Sequence, residues 1–226
     1  MSNHLGVAAA TAVLRRLLSE AVAAAPPGGV DSATVTTLRP QALAATDADV
    51  RGVNLYLYRL TPDGAAWAVD LPARRPDGAL VARPAQAVDL HYLLTFSGDE
   101  TALEPQRLLG QVVTALAVQP VLSRELFAET VREAAERDPQ TWLQYADLAD
   151  RAEAVRLSML PLDVEDLMRL WSALCQSPYR LSMAYQARVV VLEGLVTPIA
   201  PVPVQDRGLV VQLASEPARQ AGGGGA

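Results

Sequence analysis

Asp89, His91 and Ser182 are the residue types that acyl transfer uses: a hydroxyl nucleophile, an imidazole base and a carboxylate to orient it. Asp89 and His91 stand two apart in Val88–Phe96, VDLHYLLTF, so a strand there puts them on one face. The rest of that machinery is missing from the chain. No serine sits in a Gly-x-Ser-x-Gly elbow, and no glycine-rich loop offers an oxyanion site. His91 therefore reads as a packed, hydrogen-bonded residue on a half-polar face, and His4 carries no signal. No catalytic residue is assigned, and the chain reads as a non-enzyme.

Metal and phosphate chemistry fare no better. With 2 His and 1 Cys in 226 residues, no soft-ligand cluster can be assembled by short spacing. Asp147, Asp150 and Glu153 read as a solvated face rather than an oxygen-ligand site. Gly28-Gly29 follows a predicted helix instead of opening one, and no Gly-Lys-Ser/Thr occurs, so no phosphate loop is expected. Cys175, at the end of an apolar helix, reads as a small core hydrophobe. No cofactor is expected.

Charge is the remaining source of specificity. The formal net charge is −6, from 25 acidic and 19 basic residues, which argues against nucleic-acid binding. All the basic residues are Arg, a composition that a GC-rich genome explains and that also suits bidentate contacts between proteins. Arg74, Arg75 and Arg83 crowd one loop. They read either as a solvated loop with Asp70 and Asp77 as local partners, or as a patch that docks an acidic surface of a neighbouring subunit. Glu104 and Arg107 stand at i,i+3 and either pair within a helix or cross a subunit boundary.

The elements that would position these residues follow from periodicity. Asn3 is a candidate cap for a helix over His4–Ala25, with Leu5, Ala9, Ala12, Val13, Leu17 and Ala21 as its buried stripe. Ala33–Leu38 is a β-branched strand, and Val53–Leu60, VNLYLYRL, alternates as another. Trp67–Leu71 and Ala79–Arg83 are candidate short strands. Val88–Phe96 is the central strand, with Val88, Leu90, Tyr92, Leu94 and Phe96 on its apolar face. A helix then starts within Thr101–Pro105, where Thr101 and Glu104 have capping-box spacing, and Pro120 ends it.

Ser123 caps a helix over Arg124–Arg137, and Asp163 caps another to Gln176 with Val164, Leu167, Met168, Trp171 and Leu174 on one side. Ala146–Arg156 reads as loop or short helix, and Leu157–Leu162 as an apolar run broken by Pro161. Tyr179–Glu193 reads as one long strand, bulged in its course. Leu209, Val211 and Leu213 alternate as an edge strand ahead of the glycine-rich end. The expected organisation is one domain over 1–196 and an extension over 197–226. The class is α+β, a mixed, mainly antiparallel sheet flanked by helices. The Val7–Leu14 run lacks the basic region and cleavage site of a signal peptide, and no stretch reaches a membrane span. A cytoplasmic protein without direct membrane insertion is expected.

Three segments, DLPARRPDG, RPAQAVDLHYLLTF and LEPQRLLG with QPVL, resemble the N-terminal domain of the cap protein of extracellular contractile injection systems. That protein is the sixteenth component of Photorhabdus virulence cassette-like particles. PYRLSMAYQARVVVLE extends the resemblance toward the C-terminus. The resemblance implies a contractile tail-terminator-like fold and a structural cap: a homo-hexameric ring that ends the sheath and inner tube, inside a particle open to release from the cell. The candidate interface residues are Arg74, Arg75, Arg83, Glu104, Arg107, Leu209, Val211 and Leu213. The alternatives are a baseplate or spike adaptor of the same particle, a small hydrolase using Asp89, His91 and a serine, and a ligand-binding module, which would need a deep pocket.

Overall fold

The alternation around Leu90 is realised as the longest strand of a six-stranded sheet. In the computed structural model, the described residues are 4–24, 26–44, 51–63, 85–147, 155–174 and 179–193. The strands are β1 (Thr34–Thr36), β2 (Gly52–Pro62), β3 (Ala85–Ser97), β4 (Val121–Leu122), β5 (Val155–Leu160) and β6 (Ser182–Glu193). Their order is β1-β2-β3-β6-β5-β4; only the β1–β2 pair is parallel. The helices are α1 (Gly6–Ala23), α2 (Pro40–Ala44), α3 (Glu104–Val118), α4 (Arg124–Arg137) and α5 (Val164–Ala173), with a 3₁₀ turn at Trp142–Tyr145.

The core lies on one face of the sheet. Leu90, Tyr92 and Leu94 of β3 have no exposed surface, and they pack with Val13, Leu14 and Leu18 of α1 and Leu108 and Val112 of α3. The Tyr92 hydroxyl, buried under α1, shares a 2.8 Å hydrogen bond with Thr11, so this polar atom is satisfied within the core layer. Burial of that phenol pushes its ionisation well above the ordinary tyrosine value. α4 closes over α1 through Arg16, whose Nε and Nη2 bond the Glu133 carboxylate at 3.0 and 2.7 Å, with Glu20 at 2.8 Å. This bidentate geometry suits Arg and not Lys.

Among the described residues, the other face is covered only in part. Ser182 registers with Thr95, and the Trp171 indole of α5 donates to the Ser182 hydroxyl at 3.1 Å. Trp171 also meets Tyr179 edge-on, ring centroids 5.5 Å apart. Trp171, the buried residue of α5, thus pins that helix over one end of this face. The apolar side expected of α5 is buried in part: Trp171 is buried and Leu167 and Leu174 are half-buried, whereas Val164 is 74% and Met168 44% exposed.

Several local expectations are met. Ser123 and Asp163 cap their helices, accepting from the backbone N–H of Leu126 and Asp166. The bulge in β6 falls where Val88 and Leu90 pair with Val190 and Ala187, and a second bulge interrupts β2 between Leu57 and Arg59. Others are corrected. The stripe of α1 is rotated: Ala9 and Val13 are buried as expected, but with Ala10, Leu14, Leu18 and Val22 rather than Leu17 and Ala21. The capping box at Thr101 does not form: α3 starts at Glu104 after Leu103, which gives no side-chain cap, and in the turn before it the Asp99 carboxylate accepts from the Thr101 N–H and hydroxyl while Glu104 accepts from the Asp99 N–H at 2.8 Å.

Val155–Leu160 is a strand, not loop followed by an apolar run, and it carries β4 at the sheet edge. Asn3, the segments Trp67–Leu71 and Ala79–Arg83, Cys175 and the extension over 197–226 lie outside the described residues.

Candidate functional site

The Ser-His-Asp constellation is not assembled. Ser182 registers with Thr95, four residues along β3 from His91, which separates them by about 13 Å of strand. The Ser182 hydroxyl is already engaged by Trp171. His91 Nε2 instead lies 2.8 Å from the Thr61 hydroxyl, and Tyr58 packs edge-on against its ring. Burial pushes the imidazole below its ordinary pKa, the nearby Arg59 guanidinium adds to this, and Asp89 opposes it. A base so weakened beside a threonine on an open sheet face is a structural hydrogen bond rather than an activated nucleophile. Asp89, 6% exposed, accepts from Gln186 at 2.8 Å and lies 3.8 Å from Arg188.

Among the described residues no group of His, Cys, Asp or Glu could hold a metal ion. Asp150 and Glu153, offered above as an acidic cluster with Asp147, lie outside them. No described helix is long and apolar enough to cross a membrane.

Of the candidate interface residues, the structure describes Glu104 and Arg107. Both hold the monomer together, and not with each other. Glu104 is 7% exposed; it accepts from the Asp99 N–H and lies 3.2 Å from Arg51, which ties the start of α3 to the start of β2. Gly98 makes this possible, because a Cβ there would stand 2.8 Å from the Glu104 side chain. Arg107 donates to the carbonyls of Gly28 and Gly29 and so clasps the turn after α1. Arg74, Arg75, Arg83, Leu209, Val211 and Leu213 lie outside the described residues.

Two features that periodicity did not single out are edges and a face. β1 pairs with β2 at only three positions, Gly52–Asn54. Asn54, buried, then closes that short strand by accepting from the Thr36 hydroxyl and the Leu38 N–H and donating to the Leu38 carbonyl. Among the described residues no strand pairs with the outer side of β2 from Leu55 to Pro62. A free edge of this length is a template for an added strand. The face is the part of the sheet that α5 leaves open, where Arg59, His91, Gln186 and Ser158 form one cross-strand row and Arg156 pairs with Arg188 in the next.

Against known structures the fold has clear counterparts. A PVC sheath/tube terminator from an extracellular contractile injection system, in its extended state, superposes with a TM-score of 0.52 at 14% identity, covering 90% of this chain and 64% of that one. The tube-terminating cap of the anti-feeding prophage superposes with a TM-score of 0.50 at 16% identity, covering 87% of this chain and 59% of that one. The chain therefore spans about three fifths of each terminator's length. No curated protein matches it. The fold is that of contractile tail terminators, a mixed, mostly antiparallel sheet with helices, as expected above. Residues 9–206 match the Pvc16 N-terminal domain, and the chain belongs to that family.

Proposed function

We propose that the protein is a structural cap that ends the sheath and inner tube of a phage-tail-like contractile injection system, and that it catalyses no reaction. The observation that carries this reading is the coincidence of two matches over nearly the whole chain. The family match runs over residues 9–206, and the terminator fold covers 90% of the chain. A ring of six copies fits a cylinder's end, and head-to-tail contacts that close on themselves generate such a ring.

The mechanism is geometric. A growing tube or sheath adds subunits through surfaces and strand edges that the last layer leaves open. A cap that pairs with those edges and offers none to a further layer stops growth. The free outer side of β2 is suited to such pairing, by the backbone hydrogen bonds that strand addition uses. Arg74, Arg75 and Arg83 are the proposed contacts to an acidic neighbour, and Leu209, Val211 and Leu213 the proposed strand that docks on the sheath. Glu104 and Arg107 already have internal partners, so any contact across a subunit boundary would use them without freeing the bonds described above.

The test is particle length. Cells that make the particle without this protein should release tubes and sheaths of scattered length, and supplying the protein should restore a single length. Particles of normal length and normal ends without it would refute capping. Cross-linked or native mass measurement of the protein bound to particle ends gives the copy number directly, with six as the expected value.

A further inference from the structure

The face of the sheet that, among the described residues, α5 leaves uncovered carries a pairing of like charges that its own fold disfavours. Two rows of side chains run across four strands. Arg59, His91, Gln186 and Ser158 make one; Thr61, Asp89, Arg188 and Arg156 make the other. The rows span about 14 Å at the usual strand spacing. Arg156 and Arg188 are direct cross-strand partners, a pairing of like charges that costs stability in a sheet. Arg59, Arg156 and Ser158 are exposed, and the Arg188 side chain is 49% exposed. One buried carboxylate, Asp89, sits among three guanidinium groups, so the band is cationic in a chain whose net charge is −6. Asp166 of α5 lines the same groove as Arg59 at the margin of the band, together with Tyr58 and Leu170.

We propose that this band is a docking surface for a carboxylate-rich segment of a partner protein. The chemistry fits on three counts. Guanidinium groups take carboxylates in bidentate pairs, and Arg156 and Arg188 present two such forks about 5 Å apart at their Cα atoms. The sheet holds them on neighbouring strands, so little ordering is needed when the partner arrives. A nucleic acid is the poorer fit, because it extends beyond a band of about 14 Å and its further phosphates would meet the acidic remainder of the chain, whereas a short acidic segment can lie within the band. Local arrangements that oppose folding stability mark functional surfaces, and the Arg156–Arg188 pair is one. The proposal goes beyond the capping role and does not depend on it, since its readout uses the isolated protein.

The experiment measures binding of a fluorescein-labelled polyglutamate peptide to the full chain by anisotropy, from low to physiological salt, alongside the double variant R156Q/R188Q. A second variant, Arg132→Gln on the exposed side of α4, serves as the control. Expected are saturable binding that weakens with salt, a loss of about tenfold or more in R156Q/R188Q, and no change in Arg132→Gln. The single variant R156Q should also melt no lower than the parent, because it relieves the like-charge pair and leaves the Arg188–Asp89 contact in place. Absence of saturable binding by the parent, equal loss in the control variant, or tighter binding of single-stranded DNA of matched length would overturn the proposal. An R156Q variant that melts lower than the parent would overturn the argument that the pair is held at a cost.

Discussion

His91 shows how a residue of catalytic type can serve only the fold. Its ring is held by the Thr61 hydroxyl and by Tyr58, and its proton affinity is lowered by burial and by Arg59. The folded protein thus favours the neutral imidazole. As pH falls through the ordinary histidine value of about 6.5, the unfolded chain takes up its proton first, so stability declines. His91's contribution is complete above about pH 6.5 and is lost between there and its lower folded value. The melting temperature of the parent should fall more steeply from about pH 7 to about pH 5 than that of His91→Gln, which keeps a partner for Thr61 but cannot titrate. Parallel curves for the two proteins would show that the imidazole stays solvated and that its environment does not disfavour the charge.

At the scale of elements, close approach and single anchors set the vulnerable points. β1 lies so near β2 that a Cβ at Gly52 would stand 2.0 Å from the Thr34 carbonyl oxygen. Gly52→Ala must therefore push β1 off the sheet or distort β2, at an expected cost of about 1–3 kcal/mol, with loss of amide-exchange protection confined to β1 and the start of β2. α5 hangs on Trp171, which is 6% exposed. Trp171→Ala should cost about 3–5 kcal/mol in denaturant unfolding, whereas Val164→Asp, at a position 74% exposed, should stay within about 0.5 kcal/mol.

Such contrasts also mark what the sequence could show. β2, β3 and β6 are long and alternate over most of their length, and the Ser123 and Asp163 caps need only local geometry, so all were legible. The alternation Val155-Arg156-Leu157-Ser158-Met159 is equally present, but a window beginning at Leu157 runs into Pro161 and hides the strand. α1 is apolar over most of its surface, so which stripe is buried depends on where α3 and α4 lie, not on the helix itself. The same holds for the arginine band, whose members come from four strands and meet only through register.

For the whole molecule, the proposed capping role divides labour between the described core and the segment that follows it. The core cluster draws on elements from α1 to β6, the last of which ends at Glu193, while the match to the family runs to residue 206. A cap needs a stable body and a means of attachment, and the alternating Leu209, Val211 and Leu213 fall beyond both limits. If that segment attaches the cap by adding a strand to a sheath subunit, replacing residues 207–213 by a Gly/Ser linker should remove attachment without touching the body. The expected outcome is a protein that melts within about 1 °C of the parent, since the described core is built from α1 to β6. Particles made with it should have scattered lengths. Uniform, capped particles from the replaced protein would mean that attachment runs through the body itself, with the open side of β2 as the next edge to block. A drop in melting temperature would mean instead that the segment packs on its own chain, so the two roles separate in one variant by two measurements.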